Sequence, residues 1–300
     1  MRAHLFVNPI SGRGRAKAVL PAVMDRLERS GAKVTVVLSK VRGDLIEAAR
    51  ALPSDADAAV ILGGDGTMNE VANGLAGRDL PVGIIPLGVG NVMAKEYDIP
   101  YDPEAAADVI LGGRTVRIDV GLMGDRRFLL MAGAGLDAEV VRRLHEGREG
   151  PVHMLYLRYV RIGLGAVAGY RFPPFELELD GKIFARDVRM VVVGNTRSYG
   201  GPFEFTPRAS AEDSLFDVCA ISSPSGPAGW VGHARSTLAF FWEAMRGRLL
   251  GIPGVTYGCG RTVRILGDGI PVQVDGEVAG KSPAEFRLLP RAFPLIVPQA

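Results

Sequence analysis

One short segment constrains the fold of this chain more than any other feature. The apolar run 58–62 ends directly in Gly63 and Gly64, and Gly66 follows after a single aspartate. Residues 67–75 then resume a helical pattern. Glycines this closely spaced let the backbone turn tightly and approach a ligand that a Cβ atom would exclude. The segment therefore predicts a buried strand, a glycine turn and a helix.

The same order of elements recurs through the first 90 residues. Short apolar runs predict strands at 3–7, 33–38, 58–62 and 82–86. Helical patterns lie between them, at 16–30, 44–52 and 67–75. Strands that alternate with helices indicate a parallel sheet covered on both faces. We therefore predict an N-terminal three-layer α/β nucleotide-binding domain over residues 1–122.

After residue 121 the pattern changes to short strands joined by turns. Strands are predicted at 128–131, 175–179, 182–186, 190–193, 216–221, 263–266 and 271–274, and helices at 152–167 and 228–248. Asp180-Gly181 is a strong hairpin signal, since both residues tolerate positive φ. These features predict a second, mainly antiparallel β domain over residues 123–300. Its last residues, 293–297, are able to return to the first domain.

Composition excludes several classes of protein. The net charge of +2, with 23% charged residues, argues against nucleic acid as a partner. The two cysteines form no CxxC pair and the four histidines are scattered, so neither a zinc site nor a disulfide framework is predicted. The N-terminus lacks signal-peptide features and no apolar run reaches membrane-spanning length. We expect a cytoplasmic protein, with peripheral membrane association left open.

The glycine turn has the properties of a phosphate site. A helix that begins directly after it presents free N–H groups and the positive end of its dipole to an anion. Asp65 lies between the glycines, where a carboxylate is able to reach a metal ion, and Thr67 offers a hydroxyl. The alternative is a plain strand-to-helix turn with Thr67 as the N-cap.

Two further loops follow strands of the same predicted sheet. In the first, residues 8–15, Ser11 and two arginines offer hydrogen-bond donors to a nucleotide. In the second, residues 86–91, Asn91 is placed to donate either to a nucleotide or to Asp65. Each loop also has a purely structural explanation as a turn. Because open α/β sheets bind ligands at the carboxyl ends of their strands, we expect the loops to share one site.

Together these segments resemble a known family. GGDGTMNE at 63–70, Asn-Pro-x-Ser-Gly at 8–12 and PLGVGNVMAKEYDIP at 86–100 are similar to the bacterial diacylglycerol-kinase-like lipid kinases. These are relatives of sphingosine kinases and, more distantly, of NAD kinases. SAEDSLFD at 210–217 and VDGE at 274–277 follow in the family's order, so the likeness covers nearly the whole chain. It implies transfer of the ATP γ-phosphate to a lipid hydroxyl, as in phospholipid biosynthesis.

The resemblance also implies site residues. Together with the loop residues above, it gives a nucleotide site made of Asn8, Ser11, Ser39, Gly63, Gly64, Asp65, Gly66, Thr67, Met68, Asn69, Gly88 and Asn91. It implies Glu277 as the catalytic base, and whether Asp65 or Glu277 takes that role is left open. A structural Mg²⁺ is implied around Ser210, Asp213 and Leu215, in addition to the Mg²⁺ that accompanies ATP. Val89 and Ser214 stand where the family usually has Thr and Gly.

Two other functions remain open at this point. One is a kinase of a soluble alcohol such as NAD or a sugar, and the other is a non-catalytic nucleotide- or lipid-binding module. A lipid substrate implies transient contact with a membrane surface. The mixed aromatic and arginine segment 155–162 fits such a contact, but we favour a helix that covers the second domain's sheet. The sequence leaves the oligomeric state open, a homodimer included.

Overall fold

The computed structural model describes residues 1–146, 173–199, 203–222, 242–244, 246 and 248–299. The chain forms two compact units. Unit 1 contains residues 1–120 and 290–300, and unit 2 contains residues 121–289. Two strands carry residues of both units, β5 (Arg114–Met123) and β15 (Ala284–Val297). The fold class predicted from the sequence is confirmed: a three-layer α/β unit and a mainly antiparallel β unit.

Unit 1 is built on a parallel sheet. Its strands are β1 (Arg2–Val7), β2 (Lys33–Leu38), β3 (Ala58–Gly63) and β4 (Val82–Pro86). Its helices are α1 (Arg15–Arg29), α2 (Asp44–Arg50), α3 (Asp65–Gly74), α4 (Val92–Glu96) and α5 (Pro103–Gly112). The strand order is β4-β3-β1-β2, and the end of β15 joins β4 in parallel through Leu295 and Val82.

Helices cover this sheet on both faces. Helix α1 packs with α5, and α2 packs with α3. Strand β3 is buried at every position, as expected for a central strand of a covered parallel sheet. The α2–α3 pair depends on a glycine, because a Cβ atom at Gly74 would lie 2.3 Å from the carbonyl oxygen of Ile46. The close contact of these helices fixes α3, and with it the glycine turn that precedes α3.

Unit 2 is dominated by antiparallel strands. They are β6 (Arg126–Phe128), β7 (Met131–Gly135), β8 (Phe175–Leu179), β9 (Lys182–Gly194), β10 (Phe216–Ser222), β11 (Val255–Gly260), β12 (Thr262–Leu266), β13 (Pro271–Val274) and β14 (Glu277–Lys281). Helix α6 (Leu136–Glu146) follows β7 directly. The strand order is β14-β13-β7-β9-β8-β12-β15, with β10 on β9 and β11 on β10.

Aromatic rings fill the centre of unit 2. The rings of Phe128 and Phe216 stack with centroids 5.6 Å apart, and Phe286 meets Phe128 edge-on at 5.9 Å. All three are fully buried. A second cluster, which includes Leu136 and Phe205, packs beside α6. Offset aromatic pairs of this kind stabilise a core beyond the area that they bury.

The structure differs from the sequence predictions in detail. The strands expected at 182–186 and 190–193 are one strand, β9, in which Asp187 has φ 52° and the register with β8 shifts. Helices α4, α5 and α6 and strands β5, β11 and β14 were not predicted. The helix predicted at 152–167 lies outside the described residues. Of the one predicted at 228–248, the structure describes 242–244, which are helical, and the single residues 246 and 248, which are not.

Candidate active site

Three loops of unit 1 meet at the carboxyl ends of the parallel strands. The Asn8 N–H donates to Leu62 O at 3.3 Å, which joins the loop after β1 to the end of β3. The Leu87 N–H donates to Gly63 O at 2.8 Å, which joins β3 to the loop after β4. The structure therefore brings the three predicted loops together along one edge of the sheet.

Most glycines of these loops are required by packing. A Cβ atom at Gly64 would lie 2.8 Å from the Cα of Gly88, so the two loops touch backbone to backbone. At Gly63 a Cβ would lie 2.6 Å from Thr67 Oγ1, and at Gly90 it would lie 2.7 Å from Asp65 Oδ2. Side chains at Gly64 and Gly90 would force the loops apart, and a side chain at Gly63 would displace Thr67.

Gly66 is different from these packing glycines. It lies in the first turn of α3, and a Cβ atom there would meet no heavy atom within 4 Å outside its own helix and chain neighbours. Its φ is not positive, so the backbone conformation does not require glycine either. Nothing within unit 1 explains a glycine at this position, where the residue is exposed. A ligand that approaches the backbone closely would explain it.

The first turn of α3 has N–H groups that make no hydrogen bond within the helix. Gly64 is the N-cap in an extended conformation, and no side chain caps the helix, so the alternative with Thr67 as N-cap is wrong. The first bond of the helix runs from Met68 N to Gly64 O at 3.1 Å. The N–H groups of residues 65–67 come before that bond and have no carbonyl of α3 to reach.

Asp65 connects α3 to the loop after β4. Its Oδ1 accepts the Val92 N–H at 2.8 Å, where α4 begins. Asn91 was expected to donate to a nucleotide or to Asp65, but the bond that its Nδ2 makes is to Gly88 O, at 2.8 Å. The phenol of Tyr101 lies close enough that its pKa is raised, by burial first and by the negative charge of Asp65 second. Asp65 therefore holds the loop in place as well as presenting charge to the site.

The other polar residues of the site shape the loops after β1 and β2. Asn8 Oδ1 accepts the Ile10 N–H, and Asn8 Nδ2 lies 3.5 Å from Thr67 Oγ1. Ser39 donates to Asp44 Oδ1 at 3.0 Å and lies 3.2 Å from Val41 O. With its proton engaged in the turn, Ser39 is left to accept a hydrogen bond from a ligand.

Asp44 orders the turn after β2 and was not predicted from the sequence. Burial raises its pKa, but hydrogen bonds from the N–H groups of Lys40 and Val41 and from Ser39 outweigh burial and leave the pKa below its usual value. Glu70 was also missed, and its Oε1 accepts the Gly43 N–H at the start of α2. The only sequence cue for Asp44 was a local turn signal, its position five residues after Ser39. Glu70 ends the GGDGTMNE segment but was not singled out as a site residue.

The remaining predicted residues of the GGDGT helix lie deeper. The Met68 side chain is buried and its N–H donates within α3, so the structure gives Met68 a packing role. Asn69 accepts two bonds from the Asn73 side chain, at its main-chain oxygen and at Oδ1.

Ser11, in the loop after β1, lies at the bend that leads into α1. Its N–H donates a hydrogen bond to Asn8 O.

In unit 2, Asp275 and Gly276 form the two-residue turn between β13 and β14. Both have positive φ, 46° and 75°, as a type I′ hairpin requires. The Asp275 carboxylate accepts the N–H groups of Leu129, Leu130 and Met131 at 2.8, 2.9 and 3.0 Å. This interaction explains why the strand predicted at 128–131 is interrupted, since those donors turn to Asp275. The turn is therefore anchored firmly to the start of β7.

Glu277 is the first residue of β14 and is partly exposed. Arg126 Nη2 donates to its Oε2 at 2.6 Å, and Arg126 Nη1 reaches Val278 O at 3.3 Å. No sequence pattern indicated this pairing, because the two residues lie 151 positions apart. The ion pair orients the Glu277 carboxylate, and a substrate hydroxyl would have to share it with the guanidinium.

The segment predicted to hold Mg²⁺ forms a tight turn before β10. Asp213 Oδ1 accepts the Leu215 N–H at 3.0 Å, Ser210 Oγ lies 3.4 Å from Glu212 N, and Ser214 has φ 64°. Burial raises the pKa of Asp217, and the negative charge of Asp213 raises it further. Oxygen donors near two neighbouring carboxylates fit a hard cation that keeps several waters. Among the described residues, no group of three or more His, Cys, Asp or Glu side chains is able to hold a metal.

Known proteins resemble this chain over both of its units. Residues 2–123 match the model of the diacylglycerol kinase catalytic domain. Residues 131–297 match the YegS C-terminal NAD kinase beta sandwich-like domain. A diacylglycerol kinase of Mycobacterium tuberculosis is 33% identical over 98% of this chain and 94% of its own length. A diacylglycerol kinase of Staphylococcus carnosus is 30% identical over 99% and 95%.

A solved structure has the same fold. The crystal structure of a diacylglycerol kinase from Bacillus anthracis str. Sterne superposes with a TM-score of 0.74 at 22% identity, covering 99% of this chain and 96% of the other. With both units matched in order, the chain is a lipid kinase. It belongs to the diacylglycerol kinase family, and the resemblance seen in the sequence is confirmed. No helix within the described residues is both long and apolar enough to cross a membrane.

Proposed function

We propose that this protein transfers the γ-phosphoryl group of ATP to the free hydroxyl of diacylglycerol. The nucleotide's phosphates bind at the start of α3, and the single observation that supports this most is the unexplained glycine at position 66. The full-length relatives that are diacylglycerol kinases support diacylglycerol as the acceptor. Such a substrate is delivered from a membrane surface, which the protein contacts transiently.

The loops of unit 1 supply the electrostatics of the reaction. The N–H groups at the start of α3 and the dipole of that helix attract the phosphates. Arg13, exposed in the loop after β1, and Arg15, exposed at the start of α1, add positive charge. The Mg²⁺ that accompanies ATP would neutralise charge on the phosphates, and Asp65 would be the carboxylate that holds it through water.

Glu277 is the proposed base. The proton of the lipid hydroxyl passes to the Glu277 carboxylate as the hydroxyl oxygen bonds to the γ-phosphorus. The bond from that phosphorus to the β–γ bridging oxygen breaks, and ADP leaves. Arg126, which is bound to Glu277 Oε2, keeps the carboxylate oriented while the proton is transferred.

The test is a transfer assay with a panel of acceptors. Purified protein, Mg²⁺ and γ-labelled ATP are incubated separately with diacylglycerol vesicles, a sphingoid base, phosphatidylglycerol and NAD. We expect labelled phosphatidic acid from diacylglycerol, and loss of that product in Glu277→Gln while nucleotide binding persists. Labelled product from NAD alone would contradict the lipid assignment, and full turnover by Glu277→Gln would contradict the base.

A further inference from the structure

The turn that presents Glu277 rests on two buried polar side chains. Gln273, on β13, is fully buried, and its Oε1 accepts the Gly276 N–H at 2.9 Å. Its Nε2 donates to Asp137 Oδ2 at 2.9 Å. Asp137 is buried at the start of α6. A continuous chain of hydrogen bonds therefore runs from α6 through β13 to the N–H of Gly276, the residue directly before Glu277.

Asp137 determines which way the Gln273 amide faces. The Gly276 N–H is only a donor, so it must be met by Oε1 of the amide rather than by Nε2. Nε2 then faces α6, where it needs an acceptor, and the Asp137 carboxylate supplies one. An apolar residue at 137 would leave Nε2 of Gln273 buried without an acceptor. Because a buried donor without a partner is costly, the Gln273 side chain would then tend to rotate away from the turn.

The packing around this pair is specific. A Cβ atom at Gly133, on β7, would lie 1.8 Å from Asp137 Oδ2 and 3.0 Å from Gln273 Nε2. Any side chain there would displace the carboxylate from the amide. Strand β7 thus passes directly over the bond between the two residues, and glycine is the residue that permits this.

A buried carboxylate at this position is costly for folding. Burial raises the pKa of Asp137 to about 7, and the bond from Gln273 offsets only part of that effect. Two apolar side chains of similar volume would fill the space without a charge to desolvate. The polar pair therefore contributes something other than stability, and its contact with Gly276 indicates what that is.

We propose that Asp137 and Gln273 are positioning residues that fix the direction in which Glu277 leaves its turn. This inference rests on the proposed role of Glu277 as the base. The Gly276 N–H belongs to the residue directly before Glu277, so a change in the Gly276 peptide turns the Glu277 side chain. Asp275 anchors one side of the turn and Gln273 anchors the other.

The first test compares three substitutions by steady-state kinetics with diacylglycerol vesicles and ATP. Gln273→Met keeps the volume but loses both hydrogen bonds, and we expect kcat to fall about tenfold or more, as misplacement of a catalytic group predicts. The KM for ATP should stay within about twofold, because the nucleotide loops lie in unit 1. Asp137→Asn retains an acceptor for Gln273 and should keep kcat near the wild-type value.

Thr206→Val is the matched control. Thr206 is buried in the same unit and donates to Thr196 O at 2.9 Å, so this substitution also removes a buried hydrogen bond without changing volume. Its kcat should match the wild type. If Gln273→Met does not fold, Gln273→Asn replaces it, since the shorter amide cannot reach both Asp137 and Gly276 at once and should show the same loss in kcat.

The second test combines Gln273→Met with Glu277→Gln. A residue that acts through Glu277 should cause no further loss once Glu277 is disabled, whereas independent losses would multiply. The inference is overturned if the losses multiply, if folded Gln273→Met or Gln273→Asn keeps the kcat of Thr206→Val, or if Asp137→Asn is as slow as Gln273→Met. If Glu277→Gln alone retains full turnover, the proposed base is overturned first, and this inference with it.

Discussion

Replacing Gly66 with alanine is expected to make the protein slightly more stable and its ATP binding weaker. In the free protein a methyl group at this position meets no other heavy atom within 4 Å, and φ is not in the left-handed region. Alanine has the higher helix propensity, so the free energy of unfolding should rise by about 0.5 kcal/mol. A gain in stability together with a loss of ATP affinity is expected only if the nucleotide occupies the space that the methyl group would fill.

The affinity loss follows from overlap between the added methyl group and the nucleotide. If a phosphate lies against the backbone of residue 66, the Cβ atom must displace it from the amide groups at the start of α3. Overpacking at a close contact costs about 1–3 kcal/mol, which corresponds to roughly a 5- to 150-fold increase in the Kd for ATP. Isothermal titration calorimetry with Mg-ATP measures this change directly.

Gly112 provides a matched control in the same unit. It is the last residue of α5, its φ is not positive, and a Cβ atom there also meets nothing within 4 Å. Gly112→Ala should therefore leave the Kd for ATP unchanged. Equal Kd values for Gly66→Ala, Gly112→Ala and the wild type would refute the argument that Gly66 is kept for a ligand.

Three further predictions follow from single contacts. Asp65→Asn keeps an acceptor for the Val92 N–H, so it should unfold at the wild-type temperature, but its turnover should fall by about a hundredfold. Asp65→Ala removes the acceptor as well, so it should lose turnover and also about 1 kcal/mol of stability. Wild-type turnover in Asp65→Asn would remove Asp65 from the mechanism. Val89 is 70% exposed, so Val89→Thr should leave stability within about 0.5 kcal/mol and lower the KM for ATP by up to about tenfold if the added hydroxyl reaches the nucleotide. An unchanged KM would show that position 89 makes no such contact. Because folding raises the pKa of Asp137 to about 7, the fold favours its protonated form and stability is lost as pH rises toward 7. The free energy of unfolding of Asp137→Asn, measured relative to the wild type by chemical denaturation, should therefore rise by about 2–3 kcal/mol from pH 5 to pH 8. A difference that stays the same at all pH values would contradict the titration of a buried Asp137.

Features encoded by neighbouring residues were predictable from the sequence. The apolar run before Gly63 predicted β3 because a covered parallel strand is apolar at every position. Asp180-Gly181 predicted the hairpin between β8 and β9 because the turn type is a property of those two residues. The loops that follow β1, β3 and β4 were expected at one edge, since parallel strands end on the same side of their sheet.

Features that depend on distant residues were not predictable. The strand expected at 128–131 is interrupted by Asp275, which lies about 145 positions further along the chain. The bond between Gln273 and Asp137 joins residues 136 positions apart, and neither residue belongs to a recognisable motif. Met68 was grouped with its motif neighbours, although the helical period turns its side chain into the core.

The central claim is that the start of α3 binds the phosphates of ATP. A crystal structure with Mg²⁺ and a non-hydrolysable ATP analogue tests it most directly. We predict phosphate oxygens within hydrogen-bond distance of the main-chain N–H groups of residues 65–67, with no displacement of the Asp65–Val92 bond. Nucleotide density elsewhere in the chain, with these amide groups bound only to water, would contradict the account.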